Sequence, residues 1–156
     1  MSMSTLFTKI ASSTNPAMDY VLKKYKELYG IDLSDMNLVY SDVPRYSNGK
    51  PATDLIDKNK YAGSWGLGKK IYINPNMSEV IKNYGLDIDE DTFTKHMIAH
   101  ELAHEVEHRG NKDLMNKILK QVEKEKFTTP YLDEYDKSDR KYNSEAFAEY
   151  IASKLV

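Results

Sequence analysis

Asp87-Ile-Asp-Glu90-Asp-Thr-Phe93-Thr-Lys-His96-Met-Ile-Ala-His100-Glu101-Leu-Ala-His104-Glu-Val-Glu-His108-Arg-Gly110 is the stretch on which the reading of this chain turns. Asp87 to Glu90 has the form of a capping box, which opens a helix. Phe93, Met97, Ile98, Leu102 and Val106 recur at helical spacing as one apolar stripe, and Arg109-Gly110 is a stop signal. The segment therefore predicts one long helix. All four histidines of the chain lie on it, at 96, 100, 104 and 108. Each is one turn from the next, on nearly the same face.

Imidazoles at i and i+4 can converge on one metal ion at about 2.0–2.1 Å. Glu101 sits about 100° around the helix from His100, off the ligand pair, where its carboxylate can face a metal-bound water. His100-Glu-Leu-Ala-His104 thus has the His-Glu-x-x-His spacing of zinc peptidases. A second copy of the spacing overlaps it, His104-Glu-Val-Glu-His108. The first register is preferred. Leu102, Ala103, Ile98 and Ala99 set it against the buried stripe, whereas Glu107 and Arg109 place the second near the solvated helix end. His96 and His108 are expected to line the cleft or to be partly exposed.

A catalytic zinc site needs a third protein ligand. The chain has no cysteine and no histidine off this helix. His108 lies about 12 Å along the axis from His100, too far to share its ion. An acidic residue elsewhere must complete the set. The last helix, from about Asn143 to Leu155, carries Glu145 and Glu149 one turn apart beside an Ala-rich apolar face. Such a like-charged pair is unfavourable unless a cation lies near it. We assign Glu145 as the third ligand. Glu149 is then an outer group accepting the free ring N–H of a ligand histidine, expected to be His100. Two nitrogens and one oxygen in a tetrahedral site suit a single Zn2+ best.

Outward from this centre, Asn15-Pro16 caps and starts a first helix that Gly30 ends. Leu38-Val-Tyr40 reads as a short strand. A polar stretch runs from Pro44 to Lys60. The glycine-rich Tyr61–Gly68 segment then leads into Lys69-Lys-Ile71-Tyr-Ile73-Asn-Pro75, a pattern that predicts a β-hairpin. Lys69, Lys70 and Pro75 mark its second strand as an exposed edge. Gly63, Gly66 and Gly68 match no phosphate-loop pattern. Ser78 is expected to cap a short helix ending at Gly85. A further amphipathic helix spans Asn111 to Lys126, and Thr128-Thr-Pro130 breaks it. An acidic, tyrosine-containing loop from 131 to 141 leads into the last helix. The pattern is α+β, in one domain covering 1–156.

Composition narrows the classes. The chain has 156 residues, 40% hydrophobic and 29% charged, an ordinary globular balance. Its formal net charge of -2 lacks the basic excess of a general nucleic-acid binder. Absent cysteines exclude disulfides and thiolate chemistry. No apolar run reaches the roughly 18 residues that span a membrane. The first ten residues show no secretory signal, so a cytoplasmic monomer is expected, with a secreted mature form left open.

The His100-Glu-Leu-Ala-His104 motif with the downstream Glu145-Ala-Phe-Ala-Glu149 resembles the gluzincin branch of zinc metalloproteases. The gap of 41 residues between His104 and Glu145 is longer than in thermolysin relatives. It is more similar to the catalytic domain of anthrax lethal factor and to the Pro-Pro endopeptidases. The resemblance covers Phe93 to Leu155. It implies a zincin-like fold, with a small mixed or antiparallel sheet whose exposed edge strand packs on the active-site helix, and a C-terminal helical part. It implies a zinc-dependent endopeptidase acting on a peptide or protein, with Glu101 as general base and Lys70, Ile71, Tyr72 and Ile73 offering an edge for an extended substrate. Ser64 and Trp65 would shape a side-chain pocket beside it. The family also places a tyrosine about seven residues before the third ligand to stabilise the oxyanion. Ser138 stands there in this chain, and Tyr142 and Tyr135 are the nearest substitutes. Two other roles are compatible with the motif: a regulatory metalloprotease of a mobile element that cleaves a repressor-like partner, and a metal-stabilised binding or virion-associated protein without turnover.

Overall fold

The computed structural model describes residues 15–41, 48, 50, 51, 64–67 and 69–156, with backbone alone for 64–67. Among them the elements follow in the order α1 (Pro16–Tyr29), β1 (Asn37–Tyr40), β2 (Ser64–Leu67), β3 (Lys70–Ile73), α2 (Met77–Asn83), α3 (Glu90–His108), α4 (Lys112–Glu125), a 3-10 turn (Leu132–Glu134) and α5 (Tyr142–Leu155). The architecture is α+β.

Local chemistry sets the helix ends. Asn15 accepts the Met18 N–H at 3.0 Å, Pro16 occupies the first turn, and Gly30 closes α1 in the left-handed region at φ 66. At α3 the cap is Asp89, not Asp87. Its carboxylate accepts the Thr92 N–H at 2.9 Å and the Thr92 hydroxyl at 2.7 Å. The start of α2 also differs from expectation, because Asn76 rather than Ser78 occupies the cap position. Asn111 caps α4 through the Leu114 N–H at 3.3 Å.

The sheet has three strands in the order β1-β3-β2. β2 and β3 form the expected hairpin, antiparallel, with Ser64 opposite Ile73 and Leu67 opposite Lys70. β1 pairs with the other side of β3 in parallel, Asn37 opposite Lys70 and Tyr40 opposite Ile73. The expectation of an exposed edge at Lys70, Ile71, Tyr72 and Ile73 is therefore corrected: β3 is the central strand, its backbone groups engaged on both sides. The lysines do not blunt an edge. Lys69 lies in the hairpin turn with its ammonium 3.4 Å from Asp35, and Pro75 falls beyond the last paired residue. Ile71, Tyr72 and Ile73 are all buried. A run of consecutive buried residues is the pattern of a strand covered on both faces.

Helix α3 crosses the middle of the molecule. Ile98, Ala99, Leu102 and Ala103 are fully buried, and burial continues round to His100. The helix is enclosed more widely than one apolar stripe suggests, because α1 and the sheet pack on it as well as α5. The Tyr25 hydroxyl of α1, itself buried, donates to the Ala99 carbonyl at 2.6 Å. On α5, Ala146, Ala148 and Ala152 are also fully buried. Small residues on both helices allow close backbone approach, with Phe147 and Ile151 filling the core around them. Each such large apolar side chain contributes about 1.5–3 kcal/mol on burial. That packing carries the acidic face of α5 onto the histidine face of α3.

Candidate metal centre

Between α3 and α5 the side chains meet as a ladder. His96 Nε2 lies 2.9 Å from Glu149, His100 Nδ1 lies 2.8 Å from the same carboxylate, and His104 Nε2 lies 3.4 Å from Glu145. Partners descend along α5 as they ascend along α3, so the two helices run antiparallel. The single-turn spacing of His96, His100 and His104 matches that of Glu145 and Glu149, which is what a helix pair in register requires.

Three residues form a group that could hold a metal: His100, His104 and Glu145 each offer one atom, all within 4.8 Å of one another. The two Nε2 atoms are 3.1 Å apart, and Glu145 lies 3.1 Å from His100 Nε2 and 3.4 Å from His104 Nε2. Ligand atoms about 2.0–2.1 Å from a tetrahedral ion stand roughly 3.3 Å from each other. The observed separations are of that size.

The hydrogen bonds around the group sharpen the fit. His100 Nδ1 faces the Glu149 carboxylate, an acceptor, and so carries the proton there. His104 Nδ1 lies 3.2 Å from the Ser144 hydroxyl. When Ser144 accepts from His104 Nδ1, both rings carry their proton at Nδ1, and two Nε2 lone pairs face each other and an anionic carboxylate. Glu145 Oε2 is buried without a hydrogen bond, its contact with His100 Nε2 lacking hydrogen-bond direction. Buried acceptors turned on one another are costly unless a cation lies among them. A divalent ion also matches the two charges of Glu145 and Glu149.

Without an ion the site holds a proton instead. Burial alone would push His100 down, but the carboxylates of Glu145 and Glu149 facing its two ring nitrogens outweigh it and raise its pKa to about 10. Glu145 shows the converse: burial pushes it up, yet the imidazoles of His100 and His104 beside it hold it down at about 2. Glu149 is likewise held well below the usual carboxylate range by His100 and His96, against the effect of its burial. Glu101 is half-buried beside the group, and its negative charge adds to the stabilisation of charged His100. His104, whose side chain is 27% exposed, leaves one side of the centre open.

Of the remaining expected residues, some are here and some are not. Tyr135 is close: its hydroxyl is 3.0 Å from that of Tyr131. Tyr142 is the first residue of α5, packed against the core. Ser138 bonds Asp136 in the exposed loop. His108 is exposed at the end of α3, and Glu105 is bound by Arg109 at 3.0 Å, so the second His-Glu-x-x-His register forms no centre. The side chains of Ser64 and Trp65, proposed to shape a pocket, lie outside the described residues. Sequence reasoning missed Tyr131. Its ring stands 5.5 Å from that of His100, nearly perpendicular, and its hydroxyl bonds that of Tyr135. Burial first, and then Tyr135 and the charge of Glu145, hold this phenol well above its ordinary pKa. His96, Ser144 and Thr129 were also missed as partners. The four-residue histidine spacing was a signal for the first, whereas the other two have none in the sequence.

No family model matches the chain, and no solved structure matches it. The chain is similar to the "Uncharacterized protein ORF158" of Acidianus bottle-shaped virus (isolate Italy/Pozzuoli), with 31% identity over 94 residues, 55% of this chain and 60% of the viral protein. The chain thus spans about three fifths of the length of that relative. Among the described residues, no helix is long and apolar enough to cross a membrane.

Proposed function

We propose that this protein is a zinc-dependent endopeptidase of the gluzincin type, on a zincin-like scaffold. The observation that carries the reading is the convergence of His100 Nε2, His104 Nε2 and a Glu145 carboxylate oxygen, with a further carboxylate on the remote nitrogen of His100. A site serving structure alone has no use for Glu101 beside its ligands.

His100, His104 and Glu145 would hold the ion, and Zn2+ in that place supplies an acidified water and a polarised scissile carbonyl. Glu101 would serve as the base, taking a proton from the attacking water and returning it to the leaving amine. Glu149 keeps the Nδ1 proton of His100 in place and so directs Nε2 inward. Tyr131, rather than Tyr135 or Tyr142, takes the electrophilic role: its ring stands against that of His100, and Tyr135 bonds its hydroxyl. With β3 central, the extended substrate pairs instead with β2, an outer strand among the described residues and one that packs on α3.

The test combines elemental analysis with a peptide library. Glu101→Gln should retain one zinc per chain and lose about 10²–10⁴-fold in cleavage rate. Cleavage that persists unchanged in Glu101→Gln, or that survives a chelator, overturns the reading. Stoichiometric zinc without any cleavage by the unaltered chain would favour a metal-stabilised binding protein.

A further inference from the structure

Glu149 is 3% exposed and accepts three side-chain hydrogen bonds. Its Oε2 takes both His100 Nδ1, at 2.8 Å, and His96 Nε2, at 2.9 Å. Its Oε1 takes the Thr129 hydroxyl at 2.8 Å. Only His100 belongs to the metal group. Thr129 Oγ1 also accepts the Leu132 N–H at 3.1 Å. A hydroxyl has one proton to give, so with Leu132 donating to it, Thr129 commits that proton to Glu149.

These contacts divide the work. Both histidine bonds reach one oxygen from one helix, which leaves the carboxylate free to swing about its last side-chain bond. The Thr129 bond grips the other oxygen from a different segment and stops that swing. The same turn carries Tyr131, whose ring stands 5.5 Å from that of His100.

We propose that Thr129 and His96 are positioning residues for the metal. Together they fix Glu149, so that its Oε2 holds the His100 ring with Nε2 turned to the ion. Thr129 also fastens the Thr129–Leu132 turn, and Tyr131 with it, to the carboxylate that supports the ligand. Metal occupancy and the placement of Tyr131 are thereby coupled through one side chain. The inference rests on the zinc reading above.

The test uses the full chain, stripped of metal and titrated with zinc in competition with a chromophoric chelator. Thr129→Val keeps the side-chain shape but removes the hydroxyl, and should weaken zinc about tenfold, at the lower end of the range for outer-shell partners. Thr129→Ser should restore binding to within about threefold, because it returns the hydroxyl. His96→Phe should weaken zinc in the same direction. Zinc should slow exchange of the Leu132 amide hydrogen in the unaltered chain and in Thr129→Ser, but not in Thr129→Val. Wild-type affinity in Thr129→Val overturns the inference while leaving the zinc reading standing. An unaltered chain that takes up no zinc sinks both. Should Thr129→Val fail to fold, Thr129→Ser decides through Leu132: absence of zinc-dependent slowing there refutes the coupling.

Discussion

Replacing Glu149 by glutamine isolates what a buried charge contributes to a metal it does not touch. The amide has nearly the size of the carboxylate, so packing against α3 is conserved. It fits in one orientation only. With its oxygen at the Oε2 position it can still accept from His100 and His96, and its NH2 group then faces Thr129 Oγ1, which must turn its hydroxyl away. Reversed, it would set a donor against two ring N–H groups. In the tolerated orientation the bond to His100, now 2.8 Å to a carboxylate, becomes a bond to a neutral oxygen. Charge assistance roughly doubles a hydrogen bond, from about 1 to about 2 kcal/mol. Losing that increment, about 1 kcal/mol, on the bond that makes His100 a better ligand predicts roughly fivefold weaker zinc. Glu149→Ala, which removes the acceptor altogether, should approach a hundredfold. Chelator competition at pH 7.5 gives the affinities, and circular dichroism checks that each variant is folded. A folded Glu149→Gln protein binding zinc within about twofold of the unaltered chain would refute the argument that this carboxylate supports a ligand.

Other expectations follow from the same contacts. Zinc binding near pH 7 should release about one proton per ion, since His100 is held up at about 10 without metal and must be neutral to bind it; calorimetry in buffers of different ionisation enthalpy measures the count, and zero release contradicts the assignment. In the metal-free protein the raised His100 stabilises fully below its ordinary value of 6.5 and loses its contribution as pH rises toward about 10, while the lowered Glu145 stabilises above its ordinary 4.5 and loses its contribution as pH falls toward about 2. The stability gap between the unaltered chain and Glu145→Gln should therefore be widest between those two ordinary values and narrow on either side, as urea titrations across pH would register. Tyr131→Phe should keep zinc content but lower the turnover number by about 10²–10³-fold if its hydroxyl meets the developing oxyanion, and unchanged turnover would return that role to another group. Tyr25→Phe deletes the 2.6 Å bond to the Ala99 carbonyl and should cost about 0.5–1.5 kcal/mol in urea unfolding.

The His-Glu-x-x-His spacing and the Glu-x-x-x-Glu of the last helix are helix-periodic signals, and periodicity survives in a linear sequence because it reflects a local geometry of 3.6 residues per turn. That is why the motif residues, the helix bounds near Asn15 and Gly30, and the acidic third member of the metal group were legible before any fold was known. Strand rank was not. Lysines and a proline beside Ile71-Tyr-Ile73 look like edge features, but which strand lies between two others depends on pairings made by residues far apart in the chain. The same holds for Thr129 and Tyr131: they reach Glu149 and His100 across 20 and 31 positions, through a loop whose path no propensity dictates. Side chains on one helix therefore marked, in sequence alone, most of the group that could hold a metal. The shell that orients them, and the central place of β3 in the sheet, were decided only when the elements packed together, because burial and hydrogen-bond satisfaction act on neighbours in space rather than in sequence.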